Sequence, residues 1–139
     1  MASTIRLELV TPERLLVSEE VDEVIAPGYE GEFGVLPEHT YYLAILSIGV
    51  LLYRKGSGTR KVAVGGGFAE VGPGRVVVMA DVAEKAEEID VERARRDRDR
   101  AEAAVEAALK TASLEDEAYV KANTALQRAQ VRIAAAEGG

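Results

Sequence analysis

Apolar and polar positions alternate near the start of the chain, where Arg6 and Glu8 separate Ile5, Leu7 and Leu9. A two-residue period marks a strand with one buried face. Short apolar runs follow at 15–17, 21–26, 43–46, 48–54, 61–65, 68–71 and 75–80. Turn residues punctuate them: Pro27-Gly28, Lys55-Gly56-Ser57-Gly58 and Gly72-Pro73-Gly74. The turn at 55–58 predicts a hairpin between 48–54 and 60–64. Many short strands at this spacing predict a sandwich or barrel. No useful helical pattern precedes residue 82, which argues against a βαβ sheet.

The pattern changes once, near residue 82. All four prolines (Pro12, Pro27, Pro37, Pro73) and most glycines lie before it, and neither type recurs until Gly138. An unbroken Ala/Glu/Arg-rich stretch reads as helix. Asp90 predicts the N-cap of a helix over 91–111, with Ala94, Ala101, Ala104, Val105, Ala108 and Leu109 as its stripe. Ser113 predicts the cap of a second helix, with Asp116 at its third position and Glu115 to Glu117 favouring the positive end of the dipole. Its stripe is Ala118, Ala122, Ala125, Leu126, Ala129, Ile133 and Ala136. The short connection makes the two helices antiparallel. The expected class is α+β: an all-β domain over 1–82 and a two-helix hairpin over 83–139. Burying alanine removes little apolar surface. The hairpin is therefore expected to be held weakly and to move.

Composition narrows the chemistry. Hydrophobic residues make up 47% of the 139, and charged residues 29%, as in folded soluble proteins. There is no cysteine, which excludes disulfides and thiolate sites, and His39 is the single histidine. The net charge of −7 argues against nucleic-acid binding. The longest apolar run, 41–53, is interrupted by Ser47 and Gly49 and is too short to span a bilayer. The N-terminal residues lack a basic region and an apolar signal core.

Three segments carry candidate contacts. The first is the glycine-spaced segment 30–39, read as a loop, either a tight turn or an exposed contact with His39. No Gly-Lys-Ser/Thr follows it, so it is not a phosphate loop. The second, Gly65-Gly66-Gly67-Phe68, suits a strand-to-strand bulge or a tight subunit contact. In the third, Asp90, Arg93, Asp97 and Arg100 share one helix face, and Arg128 and Arg132 lie one turn apart on the next helix. A turn near Ala112 puts Arg93 level with Arg132 and position 97 level with Arg128. Four converging guanidiniums repel unless an anion or an acidic partner sits among them.

At these residues the chain resembles the epsilon subunit of an F-type ATP synthase. The resemblance is carried by Glu30-Gly31-Glu32-Phe33-Gly34-Val35-Leu36-Pro37 with His39, by Gly66-Gly67-Phe68-Ala69-Glu70-Val71, and by 76–80 with Asp81 and Ala83-Glu84. Ile89-Asp90-Val91-Glu92-Arg93-Ala94 and the alanine-rich helical pair complete it. It implies a β-sandwich of about ten strands that binds the gamma subunit and the membrane rotor ring in the rotating central stalk. It implies a hairpin that folds on the sandwich or extends toward the catalytic subunits and restrains ATP hydrolysis. Such a subunit couples proton translocation to ATP synthesis without catalysing, peripheral on the cytoplasmic face of a bacterial inner membrane. No cofactor is required. The resemblance further implies a regulatory ATP on the folded hairpin, at Glu84, Ile89, Asp90, Arg93, Ala94, Arg100, Arg128 and Arg132. It assigns the rotor-ring contact to Glu30, Gly31, Glu32 and His39. Thr40-Tyr41-Tyr42-Leu43 departs from the family's Pro-Leu-Leu after the histidine.

Two other readings compete with it. A free-standing nucleotide sensor or adaptor would not co-purify with a rotor. A small hydrolase would need a nucleophile and base, for which His39 beside Thr40 is a poor pair.

Overall fold

The computed structural model describes residues 3–111 and 116–137. Eight strands lie among them: β1 (Ile5–Val10), β2 (Leu15–Val21), β3 (Glu23–Gly28), β4 (Gly31–Val35), β5 (Tyr42–Lys55), β6 (Gly58–Gly72), β7 (Arg75–Ala80) and β8 (Ala83–Lys85). A 3-10 turn (Ala86–Glu88) leads to α1 (Val91–Thr111) and α2 (Glu117–Glu137). The sheet order is β2-β1-β7-β6-β5-β3-β4, with β8 also paired to β6. Among the described residues only the β1–β7 pairing is parallel.

The sheet curls over on itself to enclose a core. Ile5, Leu7 and Leu9 of β1 share one buried cluster with Leu51 and Tyr53 of β5, although two strands stand between them in the sheet. Alternation on β1 and β7 points Val76, Val78 and Ala80 into the same cluster. The strand count is eight rather than about ten because β5 and β6 each join two runs that the sequence separates. The interruptions at Ser47 and at Gly66-Gly67 fall within continuous strands.

Gly67 shows how close the strands come. Its φ is +113, and a Cβ built there would lie 2.1 Å from the Met79 carbonyl oxygen. The register of β6 with β7 (Gly67↔Ala80) continues into β8 (Val64↔Ala83), so β7 and β8 follow one line across β6. The glycine segment is thus a close approach within the chain.

Segment 31–35 is a strand, not a loop, and this corrects the sequence reading. Gly28 pairs with Gly31 across a two-residue turn, and Ala26 and Val24 pair with Phe33 and Val35. Gly31, at φ +130, makes that turn accessible. Val35 is fully buried, and Phe33 packs against the core.

α1 has the predicted limits. Asp90 Oδ1 accepts the Arg93 N–H at 3.1 Å, and the Asp90 carbonyl accepts the Ala94 N–H at 2.9 Å, which makes Asp90 the N-cap. The predicted cap Ser113 and the turn at Ala112 lie outside the described residues. Asp116 precedes α2 instead of occupying its third position; its carbonyl accepts the Val120 N–H at 3.0 Å. The buried seam is narrower than the predicted stripes. It holds Ala94, Ala101 and Ala108 from α1 and Ala122, Ala129 and Ala135 from α2. Ala104, Leu109, Ala118 and Ala125 are exposed.

α2 is the helix that lies against β5 and β6. Ala63, Ile89, Ala94 and Ala135 form a second cluster with Val50, Val131, Ile133 and Ala136, separate from the sandwich core. Small side chains dominate it, so its burial contributes little per residue. The connection before α1 is strapped to the sandwich. The Arg14 guanidinium donates to both Glu88 carboxylate oxygens at 3.1 Å, and Glu88 Oε1 also accepts the Lys85 N–H at 3.2 Å.

Candidate functional site

Polar side chains converge where α1, α2 and β8 meet. Arg132 is the centre. Its Nε donates to Glu84 Oε1 at 2.8 Å, and its Nη1 donates to Asp97 Oδ2 at 3.4 Å. Asp97 also pairs with Arg100 at 3.6 Å. Arg128 lies one turn before Arg132, with its Nε 3.7 Å from where a Cβ on Gly65 would stand. Among the described residues Arg128 has no carboxylate partner.

Two cavities open beside this cluster. A groove of about 630 Å³ runs between the helices, floored by Ala101, Ala122 and Ala129 and rimmed by Arg100, Lys121 and Arg128. A smaller one of about 240 Å³ lies between α2 and the sheet, against Ile48, Val64 and Val82. Arg128 and Arg132 line both.

Four of the sequence-predicted residues therefore stand together: Glu84, Arg100, Arg128 and Arg132. The expected level of the two helices is corrected by about one turn. Arg132 meets Asp97 rather than Arg93, and Arg95 pairs with Glu137. α2 begins at Glu117, later than a turn at 112 implies, and every cross-helix pair moves with it. Arg93 is exposed away from the groove, and Asp90 is exposed at its cap. Ile89 and Ala94 are packed into the hairpin–sheet cluster, where Ala94 is 0% exposed. Of the predicted cations, Arg132 is paired with Glu84 and Asp97, and Arg100 with Asp97, while Arg128 stands beside them without a carboxylate among the described residues. Asp97 and Lys121 are the site residues that the family pattern did not supply. The three-residue spacing of Asp97 and Arg100 was the available signal for the first.

At the far end of the sheet, Glu30 sits in the β3–β4 turn, and Gly31 and Glu32 open β4. His39 is half-buried, its Nδ1 2.6 Å from the Thr40 carbonyl oxygen, to which that ring N–H donates. Large apolar side chains stand exposed nearby: Tyr41 at 85%, Tyr29 at 77%, and Leu43 and Ile45 at 67% each. Phe68, paired with Ile45, extends this face.

Comparison with known proteins bears on both halves. Residues 4–86 match the model of the beta-sandwich domain of the ATP synthase delta/epsilon chain, and residues 87–137 match its long alpha-helix domain. The chain belongs to the ATP synthase delta/epsilon family. Among its family relatives is the ATP synthase epsilon chain of Nitratidesulfovibrio vulgaris strain DP4, 49% identical over 134 residues that cover 96% of each chain. The epsilon chain of Syntrophobacter fumaroxidans is 49% identical over 138 residues, covering 99% of this chain and 98% of its own. A chain of the Euglena gracilis mitochondrial ATP synthase, solved by cryo-EM with OSCP, F1 and c-ring, superposes with a TM-score of 0.79 at 29% identity, covering 96% of this chain and 81% of that one. A chain from the central stalk and c-ring of the Tetrahymena thermophila enzyme shares the fold, with a TM-score of 0.60 at 13% identity. The family match over both domains, together with full-length relatives that are ATP synthase epsilon chains, gives this chain the role of an ATP synthase epsilon subunit and sets aside the free-standing sensor. No helix among the described residues is long and apolar enough to cross a membrane.

Proposed function

We propose that this epsilon subunit is a non-catalytic part of the rotating central stalk, coupling proton translocation to ATP synthesis at the cytoplasmic face of a bacterial inner membrane. In this reading the sandwich, which the structure extends from the expected limit at 82 through β8, attaches to gamma and to the rotor ring, with Glu30, Gly31, Glu32 and His39 on the ring side. The two helices beyond it restrain ATP hydrolysis when they extend toward the catalytic subunits. The observation that carries the reading is the family match across both domains. The exposed apolar group Tyr29, Tyr41, Leu43, Ile45 and Phe68 supports an attachment surface, since a face of this kind favours a protein partner over water.

Truncation in the assembled enzyme tests this division. Cutting after Glu88 keeps β8 paired to β6 and removes both helices. ATP hydrolysis should rise while gamma binding persists. Loss of gamma binding would refute the assignment of roles.

A regulatory ATP on the folded hairpin is the finer part of the proposal. The inter-helix groove offers apolar walls for a base and, besides the carboxylate-bound Arg132, three cationic side chains for phosphates. Calorimetry with the isolated subunit checks it. Arg128→Ala should weaken ATP binding more than Arg93→Ala, because only Arg128 faces the groove. No heat at millimolar ATP would remove the claim.

A further inference from the structure

We propose that Arg132 is a latch that seats the hairpin on the sandwich without any bound ligand, using carboxylates of this chain in place of an external anion. The inference rests on the reading of the hairpin as a movable part and says what holds it in the docked form.

Arg132 is the one side chain among the described ion pairs that joins three elements. It stands on α2 and reaches Glu84 on β8 and Asp97 on α1. The other ion pairs that link the helices or the connection before them to a second element differ. Arg95–Glu137 ties the helices to each other, and Arg14–Glu88 ties the sandwich to the connection before α1. Neither fastens α2 to the sheet. Arg132 is also the most enclosed guanidinium in these pairs, with its side chain 24% exposed, against 42% for Arg95 and 51% for Arg14. Enclosure matters because a charge-assisted hydrogen bond sheltered from solvent is screened less.

The apolar part of the same contact is small. Around Arg132, α2 presents Val131 and Ala135 to Ala63 and Val50. Such side chains can bring the surfaces together but discriminate weakly between positions along the sheet. Arg132 supplies the register. Its planar fork meets both oxygens of Glu84, through Nε at 2.8 Å and Nη2 at 3.5 Å, leaving Nη1 for Asp97. Sliding α2 by one turn would break both bonds together. Detaching it would leave Glu84 and Asp97 without their shared cation.

The absence of native cysteine makes the test direct. Ala63→Cys places a single thiol on the sheet beneath α2, and Ala69→Cys places one in the sandwich core. The rate at which each full-length protein reacts with an aromatic disulfide reports how often that site opens, however rare the opening. With Arg132→Met, the thiol at 63 should react about ten-fold faster, the size expected for losing one charge-assisted pair, while the thiol at 69 keeps its rate. Arg132→Lys should fall between, because one ammonium cannot hold both carboxylates in fork geometry. Glu84→Gln should accelerate position 63 alone but add little on top of Arg132→Met. An unchanged rate at 63, equal acceleration at both sites, or additive effects of the two substitutions would each overturn the latch. If the latch substitutions speed labelling yet leave ATP hydrolysis by the assembled enzyme unchanged, the latch stands and the hairpin's restraining role falls.

Discussion

Replacing Gly67 with alanine isolates the cost of the close crossing of β6 over β7. The new Cβ would lie 2.1 Å from the Met79 carbonyl oxygen and 2.7 Å from Ala80 Cα, both backbone atoms that cannot swing aside. Its φ of +113 is a conformation that residues with a Cβ rarely adopt. Backbone strain of this kind costs about 1–3 kcal/mol. Parting the strands at the Gly67↔Ala80 pair forfeits a ladder hydrogen bond worth about 1 kcal/mol. The sum, about 3 kcal/mol, is a large share of a typical domain's stability of roughly 5–15 kcal/mol. For a sandwich of this size it lowers Tm by at least about 10 °C. Gly34 provides the control, since an added Cβ there meets nothing within 4 Å. Gly34→Ala should stay within about 0.5 kcal/mol of the parent. Urea and thermal unfolding followed by circular dichroism read both variants. Equal stability of the two variants, or a loss under about 1 kcal/mol for Gly67→Ala, would refute the reasoning.

Three further outcomes are expected. Burial and then the hydrogen bond to Glu19 push the Tyr53 hydroxyl from 10.0 up to about 12. The folded state holds this proton after the unfolded chain has lost it, so stability is full below pH 10 and falls by about 2 kcal/mol by pH 12. Tyr53→Phe should flatten that alkaline decline in urea midpoints. The hydrogen bond from Arg14, partly opposed by burial, holds the Glu88 carboxyl below its ordinary 4.5. Its contribution is present above pH 4.5 and lost as pH falls through the lowered value, so Arg14→Ala should blunt the acid loss of stability seen in the same titration. Ala94→Leu overfills a position of the hairpin–sheet cluster that is 0% exposed, at a cost of about 1–3 kcal/mol. Amide exchange should then quicken in α1 and α2 and stay slow in β1 and β7; uniform quickening would contradict separate clusters.

Where local pattern decides structure, the residues announced it. Strand β7 and helix α1 have the limits that alternation and the Asp90 cap imply, and the turn at Gly56-Ser57 closes the β5–β6 hairpin. β4 was hidden because Gly31 and Gly34 weaken strand propensity, yet Phe33 and Val35 keep the two-residue period. Pairing with β3 overrides the propensity. The two long strands looked like four because Ser47 and Gly66-Gly67 interrupt the apolar runs without shifting the register of the ladder. In the site, spacing on one helix placed Asp97 beside Arg100. The partner of Arg132 depended on where α2 begins, which no periodicity within either helix encodes. Nothing local to Glu84 says that it lies under α2; its pairing with Ala63 across the sheet puts it there.

The pairing of Arg95 with Glu137 brings the last turn of α2 back beside the first turn of α1. Each helix has 21 residues, a length of about 31 Å. α1 is anchored to the sandwich at its start and joined to α2 at its far end, so the two act as arms of a folding rule. Straightening it would carry Glu137 from beside the pivot to a point about 60 Å away, twice the arm's length. A hinge next to Glu88 swings an arm of about 31 Å, and opening the two arms from each other doubles that reach. The docked form stores that reach in no more space than one helix lying along another.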